Sequence, residues 1–168
     1  PARSVAKLAY HLLKEHPEVL DTSSISRKKF REGTEDEIKM DNWNFMLPGL
    51  VFEYKGVDGL KTGSTDFAGQ SFTGTVKRGD TRFIAVVMKA VDASGASTRK
   101  ARFDAAAKLF DYGFGQFTKQ EVMAANTTFK GNEKISVLKG KETEVKIAAK
   151  DGVSFMMKTS EKDLYTPK

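Results

Sequence analysis

The residues best placed to do chemistry in this chain are Lys61, Thr62 and Gly63, which close the run Val57-Asp58-Gly59-Leu60-Lys61-Thr62-Gly63 and lead into Ser64-Thr65-Asp66. Such a run puts a cation on an edge strand and a hydroxyl one residue on. The glycine then lets a substrate backbone approach closely, because no Cβ stands in the way. What is absent excludes other chemistries. The chain has no cysteine, which removes disulfides, thiolate metal sites and cysteine nucleophiles, and its 2 histidines, His11 and His16, are too few for a histidine-rich metal cage. No metal or other cofactor is expected. A serine nucleophile needs an activating base, and Ser-x-x-Lys occurs four times: Ser4 with Lys7, Ser26 with Lys29, Ser97 with Lys100, and Ser136 with Lys139. On a helix that spacing places hydroxyl and amine one turn apart. Four occurrences among 11 serines in a lysine-rich chain show how easily the pattern arises.

The elements that must position these residues are legible in part. Val5, Leu8, Ala9, Leu12 and Leu13 follow the spacing of an amphipathic helix that Pro17 stops. Thr22 to Phe30 reads as a strand, and residues 32–49, with Gly33, Pro48 and Gly49, as a long loop of the kind that carries function. Three strands are expected at Val57–Gly63, Phe72–Lys77 and Arg82–Met88, the last two joined by the hairpin turn Arg78-Gly79-Asp80. Thr98 can cap a helix with Phe103, Ala106, Ala107 and Phe110 on one face, and Gly113 suits its end. Beyond residue 116, Val122, Thr127–Phe129, Ile135–Leu138, Glu144–Ala148 and Val153–Met157 alternate with Lys/Gly/Asn/Asp turns, as in part of a β-sandwich. The expected class is α+β, with residues 1–116 as one domain and 117–168 as an incomplete all-β domain.

Charge narrows the partners. The chain carries 28 basic and 22 acidic side chains for a net +6, shared equally between the two expected domains. Its one basic cluster, Arg27-Lys28-Lys29-Phe30-Arg31, runs straight into Glu32, Glu35, Asp36 and Glu37. Nothing concentrates positive potential as nucleic-acid binding requires. No apolar run reaches the ~18 residues of a membrane span. Met156-Met157 and Phe103, Phe110, Phe114 and Phe117 read as core and domain-junction packing rather than a cofactor site. Trp43 is equally compatible with lining a groove and with anchoring its loop.

Around Lys-Thr-Gly the sequence resembles a known family. Gly56-Val57-Asp58-Gly59-Leu60-Lys61-Thr62-Gly63, then Thr65-Asp66, Ala68-Gly69, Thr73-Gly74-Thr75, Arg82 and Val86-Val87-Met88 are similar to the low-molecular-mass penicillin-binding proteins, the serine-type D-alanyl-D-alanine carboxypeptidases. Asn42-Trp43-Asn44-Phe45-Met46-Leu47 resembles the Asn-x-Asn-x-x-Leu stretch before their strand, and Arg102, ten residues before Tyr112-Gly113-Phe114, matches a family arginine. The likeness covers residues 1–116, and the tail is similar to the start of the β-rich domain that follows.

The resemblance implies part of a penicillin-binding/β-lactamase-like fold and removal of the terminal D-alanine from peptidoglycan pentapeptides through an acyl-enzyme that β-lactams intercept. It implies that Lys61 supplies positive charge beside the nucleophile and that the Ser64 backbone N–H helps form the oxyanion hole. Thr62 and Arg102 would hold the substrate carboxylate beside Gly63, the arginine gripping both oxygens with its planar fork. The family's nucleophile lies in a Ser-x-x-Lys far upstream, followed by a Ser-x-Asn that this chain lacks. The expectation is therefore a fragment that has lost its catalytic serine, is inactive alone, and comes from an exported parent anchored to the membrane by a segment beyond Lys168. Rival readings are a transpeptidase or β-lactamase of the same fold, and a non-catalytic wall-binding module.

Overall fold

The computed structural model describes residues 1–165, a mixture of helices and antiparallel strands. It divides into two compact units, the first Pro1–Gly113 and the second beginning at Phe114. Among the described residues, no helix is long and apolar enough to cross a membrane.

The first unit opens with helix α1 (Ala2–Glu15) and the single turn α2 (Val19–Ser23). Pro17 separates them as expected, and the His16 N–H closes α1 on the Leu12 carbonyl. Thr22 and Ser23 are helical instead of extended. The reason is tertiary: α2 packs Leu20 and Ser23 over Gly59, where an added Cβ would come within 2.8 Å of Ser23 Oγ and 3.2 Å of Leu20 Cδ2. A hairpin follows, β1 (Arg27–Phe30) against β2 (Ile38–Asp41), with Phe30 opposite Ile38 and Arg27 opposite Asp41. Strand β2 falls inside the stretch expected to be loop. It is only four residues long, so its alternation is too short to register without the partner strand. The basic cluster sits on β1 and is answered locally, by Arg27–Asp41 at 3.2 Å and Lys29–Glu32 at 3.2 Å.

Three longer strands, β3 (Val57–Thr65), β4 (Gly69–Arg78) and β5 (Thr81–Ala90), form one antiparallel sheet in the order β3-β4-β5. All three extend the expected ranges. Gly79, with φ +56°, makes the β4–β5 turn. Helix α3 (Arg99–Gln116) is capped by Thr98, whose Oγ1 accepts the Ala101 N–H at 3.2 Å. Its buried face presents Phe103, Ala106 and Phe110, and the Phe103 ring meets Phe72 of β4 edge-on at 5.3 Å. Phe45 and Phe52, from the loop before β3, close on the same ring at 6.1 and 5.6 Å. Phe72 and Phe103, the fully buried rings of this cluster, each contribute roughly 1.5–3 kcal/mol of apolar transfer. Gly113 does not end the helix: it lies buried inside it, with Phe83 3.3 Å from where its Cβ would be, so the glycine serves close packing.

The second unit pairs β6 (Phe117–Met123) with β9 (Val153–Lys158) and β7 (Lys134–Ser136) with β8 (Glu144–Lys146), all antiparallel, and ends in a 3₁₀ turn at Thr159–Leu164. The expected strand at Thr127–Phe129 is not formed. Those residues border a turn in which Asn126 takes φ +63° and Thr127 Oγ1 donates to the Ala124 carbonyl. Met157 is buried, whereas its neighbour Met156 faces solvent, as alternation along β9 requires.

Candidate functional site

The outer edge of β3 and the first turns of α3 border a cleft of about 440 Å³. Thr62, Gly63 and Ser64 form one wall, Arg99 and Arg102 another, and Trp43 and Gln70 complete it. Four of the five residues expected to form the site therefore share one cavity. The fifth, Lys61, does not line it: its Nζ donates to the Thr62 carbonyl at 2.7 Å and is exposed.

Arg102 is the unusual member. It is 2% exposed, yet the only hydrogen bond it makes among the described residues is from Nη1 to the Gly63 carbonyl, at 3.2 Å. Its Nε is buried without a partner, and its guanidinium carbon lies 4.8 Å over the Phe103 ring. Burial, and after it the positive charge of Arg99, press its pKa below the ordinary guanidinium value. Both causes disfavour a bare cation here, and the attraction of an anion in the cleft would offset both. The site is thus charged and half-satisfied on one side, with backbone and hydroxyl groups of an edge strand on the other.

Gln70 lies opposite Ser64 in the β3–β4 register. Its Nε2 donates to Ser64 Oγ at 2.8 Å and its backbone N–H to Ser97 Oγ at 3.1 Å, while Oε1 is buried without a partner. Trp43 reaches the cleft through its flanking asparagines. The Asn42 side-chain amide donates to the Ser23 and Ile25 carbonyls, and its Oδ1 accepts the Asn44 N–H at 2.9 Å. Asn44, 1% exposed, donates to the Gly59 carbonyl and accepts the Met46 N–H. The Asn-x-Asn spacing thus ties the loop to α2 and β3 and leaves the indole between them at the cleft. Gln70 and Arg99 carried no sequence signal, since their roles depend on a partner strand and on a helix brought in from elsewhere.

Among the described residues, none of the four Ser-x-x-Lys serines hydrogen-bonds its lysine. Ser4 is exposed on α1, which packs on β5 and β4. Ser26 Oγ donates to the Pro48 carbonyl, Ser97 Oγ accepts from Gln70, and Ser136 is exposed on β7.

The chain is similar to known proteins along most of its length. The family described as D-alanyl-D-alanine carboxypeptidase matches residues 1–92, and the penicillin-binding protein 5 C-terminal domain matches residues 117–168. The chain is 31% identical to the D-alanyl-D-alanine carboxypeptidase DacF of Bacillus subtilis over 160 residues, 95% of this chain and 38% of that protein. The crystal structure of a peptidoglycan synthesis regulatory factor, PBP3 of Streptococcus pneumoniae, superposes with a TM-score of 0.67 and 31% identity, over 90% of this chain and 40% of that one. Penicillin-binding protein D2 of Listeria monocytogenes, in its cefotaxime-bound form, gives 0.51 and 37%, over 64% and 38% respectively. The chain thus spans less than half the length of each of these relatives.

Proposed function

This chain belongs to the D-alanyl-D-alanine carboxypeptidase family of the penicillin-binding proteins, and we propose that its cleft is the substrate-binding wall of a serine acyl-transfer site that removes the terminal D-alanine from peptidoglycan pentapeptides outside the cytoplasmic membrane. Arg102 and the Thr62 hydroxyl take the free carboxylate of the departing D-alanine. Gly63 gives the peptide backbone room against the strand. The Ser64 N–H stabilises the oxyanion that forms when a serine hydroxyl adds to the penultimate carbonyl. Collapse of that tetrahedral intermediate breaks the peptide bond, the leaving amine takes a proton, and water then releases the acyl group from the serine. Lys61 contributes positive charge on the nucleophile's side of the strand. The serine itself lies outside these 168 residues: among the described residues, no serine hydroxyl is hydrogen-bonded to a lysine ammonium, as an activated nucleophile requires. A β-lactam, which the Listeria relative binds, would acylate that same serine. Residues 1–116 form the catalytic-domain part and 117–168 the β-rich domain.

The observation that carries this reading is the Arg102 guanidinium, buried, short of acceptors and facing the cleft. Titration of the chain with N-acetyl-D-alanyl-D-alanine, followed by amide NMR, should shift Thr62, Gly63 and Ser64, whereas the C-terminal amide of the same dipeptide should bind far more weakly. A charge-assisted hydrogen bond contributes roughly 1.5–3 kcal/mol, so Arg102→Gln should weaken binding of the free acid by about 10- to 100-fold. Equal binding of acid and amide would refute the carboxylate role.

A further inference from the structure

Two cations, Arg99 and Arg102, border the cleft. Arg99 is the first residue of α3, exposed, with its guanidinium carbon 5.2 Å over the Trp43 ring. Among the described residues it makes no ion pair or hydrogen bond, and neither does Arg102 have a carboxylate partner. The nearest candidate along the helix, Asp104, is taken by Lys100 at 2.6 Å. The first turn of α3 holds no acidic residue. Cations at a helix N-terminus oppose the macrodipole, and two guanidiniums near each other oppose one another. That arrangement is unfavourable while the cleft is empty and favourable once an anion lies between them. The buried, unpartnered Nε of Arg102 points to the same missing charge.

The cation–π contact explains how Arg99 is kept at hand. An exposed arginine side chain ordinarily samples many rotamers, and ordering it for each binding event costs entropy. Resting on the indole, which the Asn42 and Asn44 hydrogen bonds hold at the cleft, it is already ordered, and a contact of this kind at an exposed site is weak enough to exchange for a carboxylate. We infer that Arg99 is a second specificity-determining cation of the cleft: it moves from the face of Trp43 to share the ligand's terminal carboxylate with Arg102. A carboxylate has acceptor sites enough for two guanidiniums. This rests on the carboxylate reading of the cleft and adds to it a residue and a reporter.

The reporter is built in, because Trp43 is the only tryptophan of the chain. Adding N-acetyl-D-alanyl-D-alanine to the 168-residue chain should change Trp43 emission as the guanidinium leaves the ring, and the C-terminal amide should not. By calorimetry, Arg99→Gln should weaken binding of the acid about tenfold while leaving the weak binding of the amide unchanged. Arg99→Lys should recover only part, since a point charge lacks the planar fork. If Arg99→Gln binds the acid as the wild type does while Arg102→Gln loses it, the inference falls and the carboxylate reading stands. Equal weakening of acid and amide by Arg99→Gln would make Arg99 a residue that merely shapes the cleft, which also overturns the inference. Failure of the wild-type chain to bind the acid at all would overturn both.

Discussion

Tyr54 shows how single polar groups are tied into this fold. Its hydroxyl donates to Asp111 on α3 at 2.6 Å, its ring packs against Phe110 at 5.6 Å with the planes tilted by 35°, and Arg78 lies 5.0 Å over its face. Burial, and then the hydrogen bond to Asp111, raise its pKa above the ordinary tyrosine value of 10.0, and Arg78 only partly offsets them. The folded state therefore keeps a proton that the unfolded chain gives up. Stability from this group is complete below the unfolded pKa and is lost as pH rises from there through the folded value. Thermal unfolding followed from about pH 8 to about pH 11 should show the wild type losing more stability above pH ~10 than Tyr54→Phe does. Parallel curves would show that the hydroxyl is not held neutral by its surroundings.

Among the elements, the three-stranded sheet depends on one missing side chain. Gly74 of β4 has Phe72 of its own strand and Phe110 of α3 over it, and a Cβ would overlap the Phe72 ring and lie 3.2 Å from Phe110 Cζ. Both rings are at most 1% exposed and cannot swing out. Gly74→Ala should therefore overpack the core and cost about 1–3 kcal/mol, read as a lower urea midpoint. An unchanged midpoint would mean that the sheet–helix gap can open without cost. The neighbouring pair Arg82–Asp58, doubly hydrogen-bonded at 2.8 and 2.7 Å with Thr75 Oγ1 also accepting from Arg82, pins β3 to β4 and β5 on the other side. That double tie keeps the Lys61-Thr62-Gly63 edge in register with the core.

Taken as a whole, the molecule would be a binding surface without its nucleophile. Incubation with a penicillin should leave its intact mass unchanged. An adduct on Ser4 would overturn that placement, since it would give the exposed α1 serine the catalytic role. The net +6 is dispersed, and on the β1–β2 hairpin it is partly answered by carboxylates, whereas among the described residues the cleft's two arginines have no carboxylate partner.

Local patterning alone carried the α+β class, α1, the β3–β5 strands, α3 and its Thr98 cap, because the periodicity and turn chemistry behind them act over a few residues. It also marked Lys61-Thr62-Gly63, where three adjacent residue types combine. The resemblance to carboxypeptidases rested on longer runs of the same kind and brought in Arg102. Tertiary structure decided what depends on distant partners. Strand β2 needed β1, and the helical turn at Thr22–Ser23 needed Gly59 beneath it. Gly113 stayed within α3 because Phe83 packs on it. In the cleft, Arg102 meets Gly63 across 39 residues of sequence, while Arg99 meets Trp43 only because two asparagines hold that loop to α2 and β3. For Lys61 the resemblance implied a charge beside the nucleophile, while the direction of its ammonium, which donates to the Thr62 carbonyl of its own strand, came from the fold. A side chain's direction is set by what surrounds it, and for these residues the surroundings come from parts of the chain far away in sequence.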